Sequence, residues 1–150
     1  MKKFSVLLVA ILALMMLFVS CENEPKERVA TMKDGEIIIG LFMSSDMVPV
    51  DGEKVIEVDE YTTEFKKAEY KEDGKVVAVL NGTTTYKPEE SKMTCSLNFG
   101  DGTKYKDEDH TLLANIVVKL SGEGVPVDVD SSEIMLDGVI ITDFVFDFLF

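Results

Sequence analysis

Apolar and polar residues alternate along several short segments of this chain. In one segment Met93, Cys95, Leu97 and Phe99 are separated from each other by single polar residues. Residues 112–120 repeat the pattern, with an apolar side chain at every second position. A two-residue period is typical of a strand that buries one of its faces. The pattern therefore predicts a β-strand in each segment.

Three further segments extend this prediction. Val76–Leu80 is apolar on both faces, which favours a strand in the centre of a sheet. Lys54–Lys71 comes closest to a helical spacing, but Thr62 and Thr63 favour a strand that leads into a hairpin. Another predicted strand has an apolar face made of four alternate residues. These are Ile37, Ile39, Leu41 and Met43.

Asp-Gly and Asn-Gly pairs occur six times among these segments. Two-residue hairpins of type I′ need a positive φ at both central positions, which Asp or Asn followed by Gly tolerates well. The fold class we predict is all-β, an antiparallel hairpin meander that forms a small sandwich or barrel after a cleaved N-terminal signal helix. The pairs are Asp34-Gly35, Asp51-Gly52, Asp73-Gly74, Asn81-Gly82, Asp101-Gly102 and Asp137-Gly138.

The amino terminus has the pattern of a secretory signal. Lys2 and Lys3 precede an uninterrupted run of 16 residues, Phe4–Val19, that is almost wholly apolar. An uncleaved membrane helix is the alternative interpretation, but a span needs about 20 apolar residues. The run ends in Leu17-Phe18-Val19-Ser20-Cys21, which resembles the lipobox of bacterial lipoprotein precursors. That resemblance implies cleavage before Cys21 and attachment of acyl chains to its sulfur and its new amino group.

This interpretation divides the chain into three parts. Residues 1–20 are the predicted signal peptide, residues 21–30 a lipid-anchored tether and residues 31–150 a single β-rich domain. The tether is predicted because Glu22–Arg28 is polar and has no apolar period. The resemblance places the mature protein outside the cytoplasm on a lipid anchor. Glu22 favours the outer membrane, since inner-membrane retention in the family is associated with Asp at that position.

The charge of the mature chain limits its partners. Without the leader, 13 basic residues stand against 28 acidic ones, a formal net charge of −15. Nucleic acid is excluded as a partner, because its binding depends on cationic side chains. The same charge disfavours anionic lipid headgroups, so acyl chains on Cys21 are the predicted membrane contact. Cys95 then has no disulfide partner and is predicted to be a buried, unreactive thiol.

The candidate reactive groups do not form a recognisable site. His110 is the single histidine and follows three acidic residues, which predicts a solvated loop. Two acidic clusters, residues 101–109 and 128–133, lack the spacing of an EF-hand and are interpreted as solvated hairpin tips. We therefore predict no catalytic, cofactor-binding or metal-binding residues and no enzymatic activity.

Phenylalanine alternates to the end of the chain, at Phe144, Phe146, Phe148 and Phe150. This resembles the closing strand of outer-membrane barrels. However, residues 64–73 carry charges on both faces, which does not fit a lipid-facing strand. The preferred interpretation is a final strand whose phenylalanines fill the core.

The predicted function is that of a non-catalytic binding or interaction module that contacts an envelope protein or a surface polymer. One alternative is a small barrel that carries apolar ligands in a cavity. Another is an inhibitor or assembly factor that docks by adding a strand to its partner. The residues proposed to line the carrier's cavity are Met43, Met93, Leu97 and Phe99.

Overall fold

The computed structural model describes residues 26–50 and 52–145, which form ten strands and one helix. Most of these residues lie in strands, so the predicted mainly-β class is confirmed. The elements are β1 (Lys26–Val29), α1 (Met32–Met47), β2 (Val55–Glu57), β3 (Thr62–Glu72), β4 (Lys75–Pro88), β5 (Lys92–Phe99), β6 (Lys104–Tyr105), β7 (Glu108–Asp109), β8 (Leu112–Leu120), β9 (Pro126–Leu136) and β10 (Val139–Thr142).

All ten strands belong to one mixed sheet with the order β1-β10-β9-β8-β5-β4-β3-β2. The short strand β6 pairs with β4 and with β7 at the side of this path. Hairpins join β3 to β4, β4 to β5, β8 to β9 and β9 to β10, so the predicted succession of antiparallel hairpins is confirmed there. The pair β1–β10 is parallel.

Strand β1 corrects the predicted extent of the tether. Lys26–Val29 pairs with Val139–Thr142 instead of forming part of a disordered segment. The sequence pattern did not reveal this strand, because all four of its side chains are exposed and its pairing uses only backbone groups. Residues 21–25, including Cys21, lie outside the described residues.

The core forms where the sequence alternates most regularly. Cys95, Leu97 and Phe99 of β5 are buried, and β8 buries every second residue from Leu112 to Val118. Both alternating strands are therefore confirmed. Strand β4 lies inside the sheet as predicted, although Val76 at its beginning is 38% exposed. Buried side chains from seven strands and from α1 meet in a single core.

Helix α1 shows that the strand predicted from Ile37 to Met43 is wrong. Its buried positions are spaced as a helix requires, but three of them are polar, and these interruptions hid the period from the sequence pattern. Ile39 and Met43 lie on the outer side, so the helix has apolar residues on two faces. The buried residues are Asp34, Ile37, Ile38, Leu41, Ser44 and Ser45.

The Asp-Gly and Asn-Gly pairs have three different outcomes. Asp73-Gly74 and Asp137-Gly138 form the predicted turns, with φ of 51° and 76° in the first and 52° and 77° in the second. Asp101-Gly102 is also a turn, between β5 and β6. The turns predicted at the other two described pairs are wrong, because Asp34-Gly35 lies in the first turn of α1 and Asn81-Gly82 lies within β4. Asp51 lies outside the described residues.

Gly82 explains why that pair is not a turn. Its φ is 156°, and a Cβ added there would lie 1.8 Å from the carbonyl oxygen of Asn98 in β5. Glycine is therefore required for close approach of the two strands rather than for chain reversal.

Candidate functional site

The junction between β1 and α1 is fixed by a buried carboxylate. Arg28 donates from both terminal nitrogens to the two oxygens of Asp34, one of them at 2.7 Å from Nη2 to Oδ1. Asp34 also accepts from the backbone and hydroxyl of Thr31 at 2.8 Å each, and its own N–H donates to the Thr31 hydroxyl. This is a capping box, which satisfies free donors in the first turn. The Arg28 guanidinium holds the pKa of the Asp34 carboxyl well below its usual range, with further help from Thr31.

The outer side of α1 forms the floor of an apolar groove of about 740 Å³, which we call the α1 groove. Its helical residues recur every three or four positions, so they lie in one stripe along the helix. The far walls come from β6 and from the segment after β10. The groove is lined by Ala30, Thr31, Met32, Lys33, Gly35, Glu36, Ile39, Gly40, Met43, Tyr105, Phe144 and Val145.

Gly40 of α1 allows an aromatic ring to lie directly against the helix, whereas Gly35 faces its ring at an ordinary van der Waals distance. A Cβ at Gly35 would lie 3.6 Å from the ring of Phe144, and one at Gly40 would lie 2.3 Å from the ring of Tyr105. Glycine inside a helix costs about 0.5–1 kcal/mol relative to alanine. At Gly40 this cost is matched by a structural gain, because any larger residue would displace the Tyr105 ring.

The ring of Tyr105 is held across α1 by the residue that follows β6. Lys106 forms a hydrogen-bonded ion pair with Glu36 of α1, and its ammonium nitrogen lies 5.5 Å from the centre of the Tyr105 ring. The ion pair lowers the pKa of Glu36 and raises that of Lys106. A second depression of about 630 Å³ shares Gly40, Met43 and Tyr105 with the α1 groove. Tyr105 therefore lies between the α1 groove and this second depression.

The chemistry of the α1 groove suits an apolar ligand. Ile39, Met43, Tyr105 and Phe144 supply aliphatic, thioether and aromatic surface, and methionine adapts readily to different shapes. The charged residues in its lining are Lys33 and Glu36, and Glu36 is already paired. The lining thus combines apolar surface with few polar groups, as ligand pockets generally do.

The residues predicted to line a carrier's cavity are not brought together. Leu97 and Phe99 are each 1% exposed and pack in the core, where the Phe99 ring contacts Phe65 edge to face. Met93 packs at the margin of the core, whereas Met43 is 43% exposed in the α1 groove. Of the four predicted residues, Met43 is the one that lines the candidate site.

His110 occupies a second site, and the predicted solvated loop is wrong. Its side chain is 8% exposed, and Nδ1 lies 2.9 Å from Oδ2 of Asp137. Nε2 is buried without a hydrogen-bond partner and lies 3.7 Å from Oε2 of Glu108. His110 is buried because β7 and the β9–β10 turn pack around it, although three acidic residues precede it in the sequence. We call this place, together with the depression of about 480 Å³ beside it, the His110 pocket.

The remaining candidates have simple outcomes. Cys95 is a free, buried thiol as predicted, and burial raises its pKa to about 11. In residues 26–50 and 52–145 no three acidic, histidine or cysteine side chains converge as a metal site would require, and this includes both acidic clusters. Phe144 lies half-buried against Gly35. Phe146, Phe148 and Phe150 of the predicted final strand lie outside the described residues.

Among residues 26–50 and 52–145, part of β9 has one edge that pairs with no strand, as a strand-addition mechanism requires. β10 pairs with Ile134–Leu136 of β9, whereas the preceding residues Pro126–Glu133 pair with β8 on one side. Pro126, two bulges and the carboxylates of Asp128 and Asp130 lie along this stretch. Proline, charge and bulges are features that protect edges against unwanted pairing.

No protein-family model, curated protein or solved structure matches this chain. Within the described part of the chain, no helix is long and apolar enough to span a bilayer. The geometry of the α1 groove and of the His110 pocket is therefore the basis for assigning a function.

Proposed function

We propose that this protein is a lipid-anchored, non-catalytic binding module of the cell envelope, and that the α1 groove binds an apolar ligand or an apolar side chain of a partner. The observation that supports this most is the outer stripe of α1. A helix of a mainly-β domain ordinarily exposes polar residues, yet Ile39 and Met43 line a groove there. Exposed apolar surface of this kind is typical of interaction sites.

The position of Gly40 in α1 is a second observation that supports binding at the α1 groove. Gly40 is poorly suited to a helix but is required for the contact with Tyr105. The Lys106–Glu36 ion pair holds the same strand against the helix. A merely stable helix would be better served by alanine at position 40, so this arrangement favours a shaped surface over maximal stability.

The anchor rests on the resemblance of Leu17–Cys21 to a lipobox. If Cys21 is acylated, four residues separate it from the start of β1 at Lys26, and the five Cα–Cα steps between the two span at most about 18 Å. The first residues of the α1 groove, Ala30 and Thr31, follow β1 directly. The groove would then open close to the membrane, where apolar ligands are available. Glu22 favours the outer membrane through the same resemblance.

Binding is tested by titrating the purified domain with an environment-sensitive apolar fluorophore at micromolar concentration. We expect saturable binding at one site. Met43→Glu introduces a charge into the groove and is expected to weaken binding at least about tenfold. Met47→Glu is the matched control, because Met47 is 55% exposed on the same helix and does not line the groove. Absence of saturable binding, or equal loss in both variants, would refute this function.

The anchor is tested separately by intact-mass spectrometry of protein from membranes. The expected species begins at Cys21 and carries acyl chains. Cys21→Ala should abolish acylation, whereas Cys95→Ala should leave it unchanged because Cys95 is buried. A species that retains residues 1–20, or that is trimmed elsewhere and free of acyl groups, would contradict the anchor.

A second candidate function is docking by strand addition at the free edge of β9. Within the described part of the chain, one side of Pro126–Glu133 pairs with no strand, which supports this function. Val127→Pro would remove a backbone donor at this edge, at a bulged position that has no partner in β8. A partner complex that is lost in Val127→Pro but retained in Met43→Glu would favour this function over the α1 groove.

A further inference from the structure

Three exposed apolar side chains belong to the two segments that meet at the start of α1, and we call them the groove rim. Met32 is 95% exposed, Val29 63% and Val145 59%. Met32 and Val145 both line the α1 groove, and the backbone N–H of Ala30 donates to the carbonyl of Thr142, which holds the two segments together. Single exposed apolar side chains are ordinary, but a group of them beside an apolar groove indicates a contact surface.

The groove rim is too small to hold a folded protein partner by itself. Stable protein–protein interfaces bury about 1,200–2,000 Å² in total, and three side chains present far less area than this. Met32 is held by almost no packing, so it offers no fixed shape that a protein surface could match. A bilayer requires no such match, because binding to lipid scales with the apolar area that is buried. Size and adaptability therefore favour a lipid surface over a second copy or another protein.

The groove rim lies close to the predicted anchor along the chain, and this step rests on the proposed function, in which Cys21 carries acyl chains. The Cα atoms of Cys21 and Lys26 are at most about 18 Å apart, and the path along β1 to Ala30 adds about 13 Å. The start of α1 is therefore always a short distance from the bilayer. Because the anchor holds the domain there, even a weak lipid contact forms at a high effective concentration.

Charge is nearly balanced around the groove rim, unlike in the rest of the chain. Four basic residues stand there against five acidic ones, a net charge of −1, whereas the whole chain carries −13. Anionic headgroups repel an acidic surface more than a nearly neutral one. A tethered domain should therefore turn this side towards the lipid. The residues counted are Lys26, Arg28, Lys33 and Lys106, with Glu27, Asp34, Glu36, Glu108 and Asp143.

We propose that the groove rim contacts the bilayer that holds the anchor, with Val29, Met32 and Val145 at the boundary between headgroups and acyl chains. Amphipathic surfaces of this kind bury their apolar side chains about 5–10 Å into that region. The side chain of Lys33 is 72% exposed, so its ammonium can remain among the headgroups while its stem lies along apolar surface. The α1 groove would then open onto the lipid, and apolar ligands would pass between bilayer and groove without crossing water.

The test uses the acylated protein in phosphatidylcholine vesicles that contain a lipid-borne fluorescence quencher. Met32→Cys carries the fluorescent label, and labelling is selective because Cys95 is buried. Val58→Cys is the matched control, since Val58 is 55% exposed and follows β2, at the opposite edge of the sheet from β1. We expect severalfold stronger quenching at position 32 than at position 58. The difference should persist at high salt, because the contact is apolar.

A second variant changes the groove rim without altering the labelled position. Val29→Asp places a charge in the rim and should reduce quenching of the label at position 32 severalfold, because an unpaired charge disfavours apolar surroundings. The side chains of β1 are all exposed, so this variant should remain folded. Val58→Asp is its control and should leave the quenching unchanged.

Equal quenching at positions 32 and 58, or no response to Val29→Asp, would overturn the proposal. Copies that crosslink through position 32 in dilute vesicles would assign the groove rim to self-association and would overturn it as well. Ligand binding in the α1 groove is a separate readout, because Met43→Glu should lose affinity for the apolar ligand and keep the quenching at position 32. A protein without acyl chains would refute the anchor and this proposal with it, which mass spectrometry decides independently of the quenching.

Discussion

Strands β5 and β8 and helix α1 differ in how completely the pattern of apolar residues describes them. β5 and β8 bury one face and expose the other, and the period of their sequence matches their structure residue by residue. α1 has one apolar face in the core and another in the α1 groove, while its core face contains Asp34, Ser44 and Ser45. A helix with two apolar faces does not show a clear helical period of apolar residues in its sequence. In α1 the second apolar face is the one at which we propose binding.

The largest change in stability should come from a substitution in the buried face of the sheet. Leu97→Ala should lower the free energy of unfolding by about 2–5 kcal/mol, because Leu97 is 1% exposed and leaves a cavity. Met43→Ala removes a side chain of similar size from the groove and should change stability by roughly 0.5 kcal/mol or less. Urea unfolding of both variants measures the difference. Equal destabilisation would mean that Met43 belongs to the core and not to a binding surface.

The start of α1 should show the next largest effect. Asp34→Asn weakens the pairing with Arg28 and the capping box, and we expect a loss of about 1–3 kcal/mol at neutral pH. Because the folded-state pKa of Asp34 is lowered, its contribution is present above the ordinary value of 3.8 and is lost as pH falls below it. Acid unfolding of the wild type should therefore be steeper than that of Asp34→Asn. Parallel acid curves would show that this carboxylate does not stabilise the junction.

At high pH, the stability of the protein should instead depend on two buried groups of the sheet. Burial raises the pKa of Cys95 to about 11 and that of Tyr86 to about 12. Both groups stabilise the fold while protonated, so this contribution is complete below about pH 9 and is lost as pH rises through 11 to 12. We expect a loss of about 1–2 kcal/mol between pH 8.5 and 11, measured by urea unfolding. Cys95→Ala should make this decline shallower, and an unchanged slope would count against the buried thiol.

The smallest effect on stability should come from Gly40→Ala. Alanine favours the helix by about 1 kcal/mol, but its methyl group displaces the Tyr105 ring, so the net change should stay within about 1 kcal/mol. Fluorophore affinity should nevertheless change severalfold, because a wall of the groove moves. Gly100→Ala is the control, since a methyl group there meets open space. Unaltered binding in Gly40→Ala would mean that Tyr105 does not shape the site.

The sequence predicted the parts of the fold that depend on local patterns. The class, the strands from Leu112 to Leu120 and from Met93 to Phe99, and the turn at Asp137-Gly138 all follow from alternation and turn chemistry. The helix start is also encoded locally, because Thr31 and Asp34 have the spacing of a capping box.

The candidate sites were not predictable in the same way. Tyr105 reaches Gly40, and Asp137 reaches His110, through contacts between elements that are distant in sequence. No local spacing indicates such contacts, and the burial of His110 among carboxylates contradicts what its acidic neighbours suggest. Strand β1 is a further case, since parallel pairing with β10 requires no apolar side chain.

The central claim is that the outer face of α1 is the binding surface. Its most direct test is photolabelling of the native protein with an apolar diazirine probe, followed by mapping of the modified residues by mass spectrometry. We predict saturable labelling of Ile39, Met43 and Tyr105, with competition by unlabelled apolar ligand. Labelling that is absent from residues 32–47, or that concentrates on the free edge of β9 at Val127, would contradict the account.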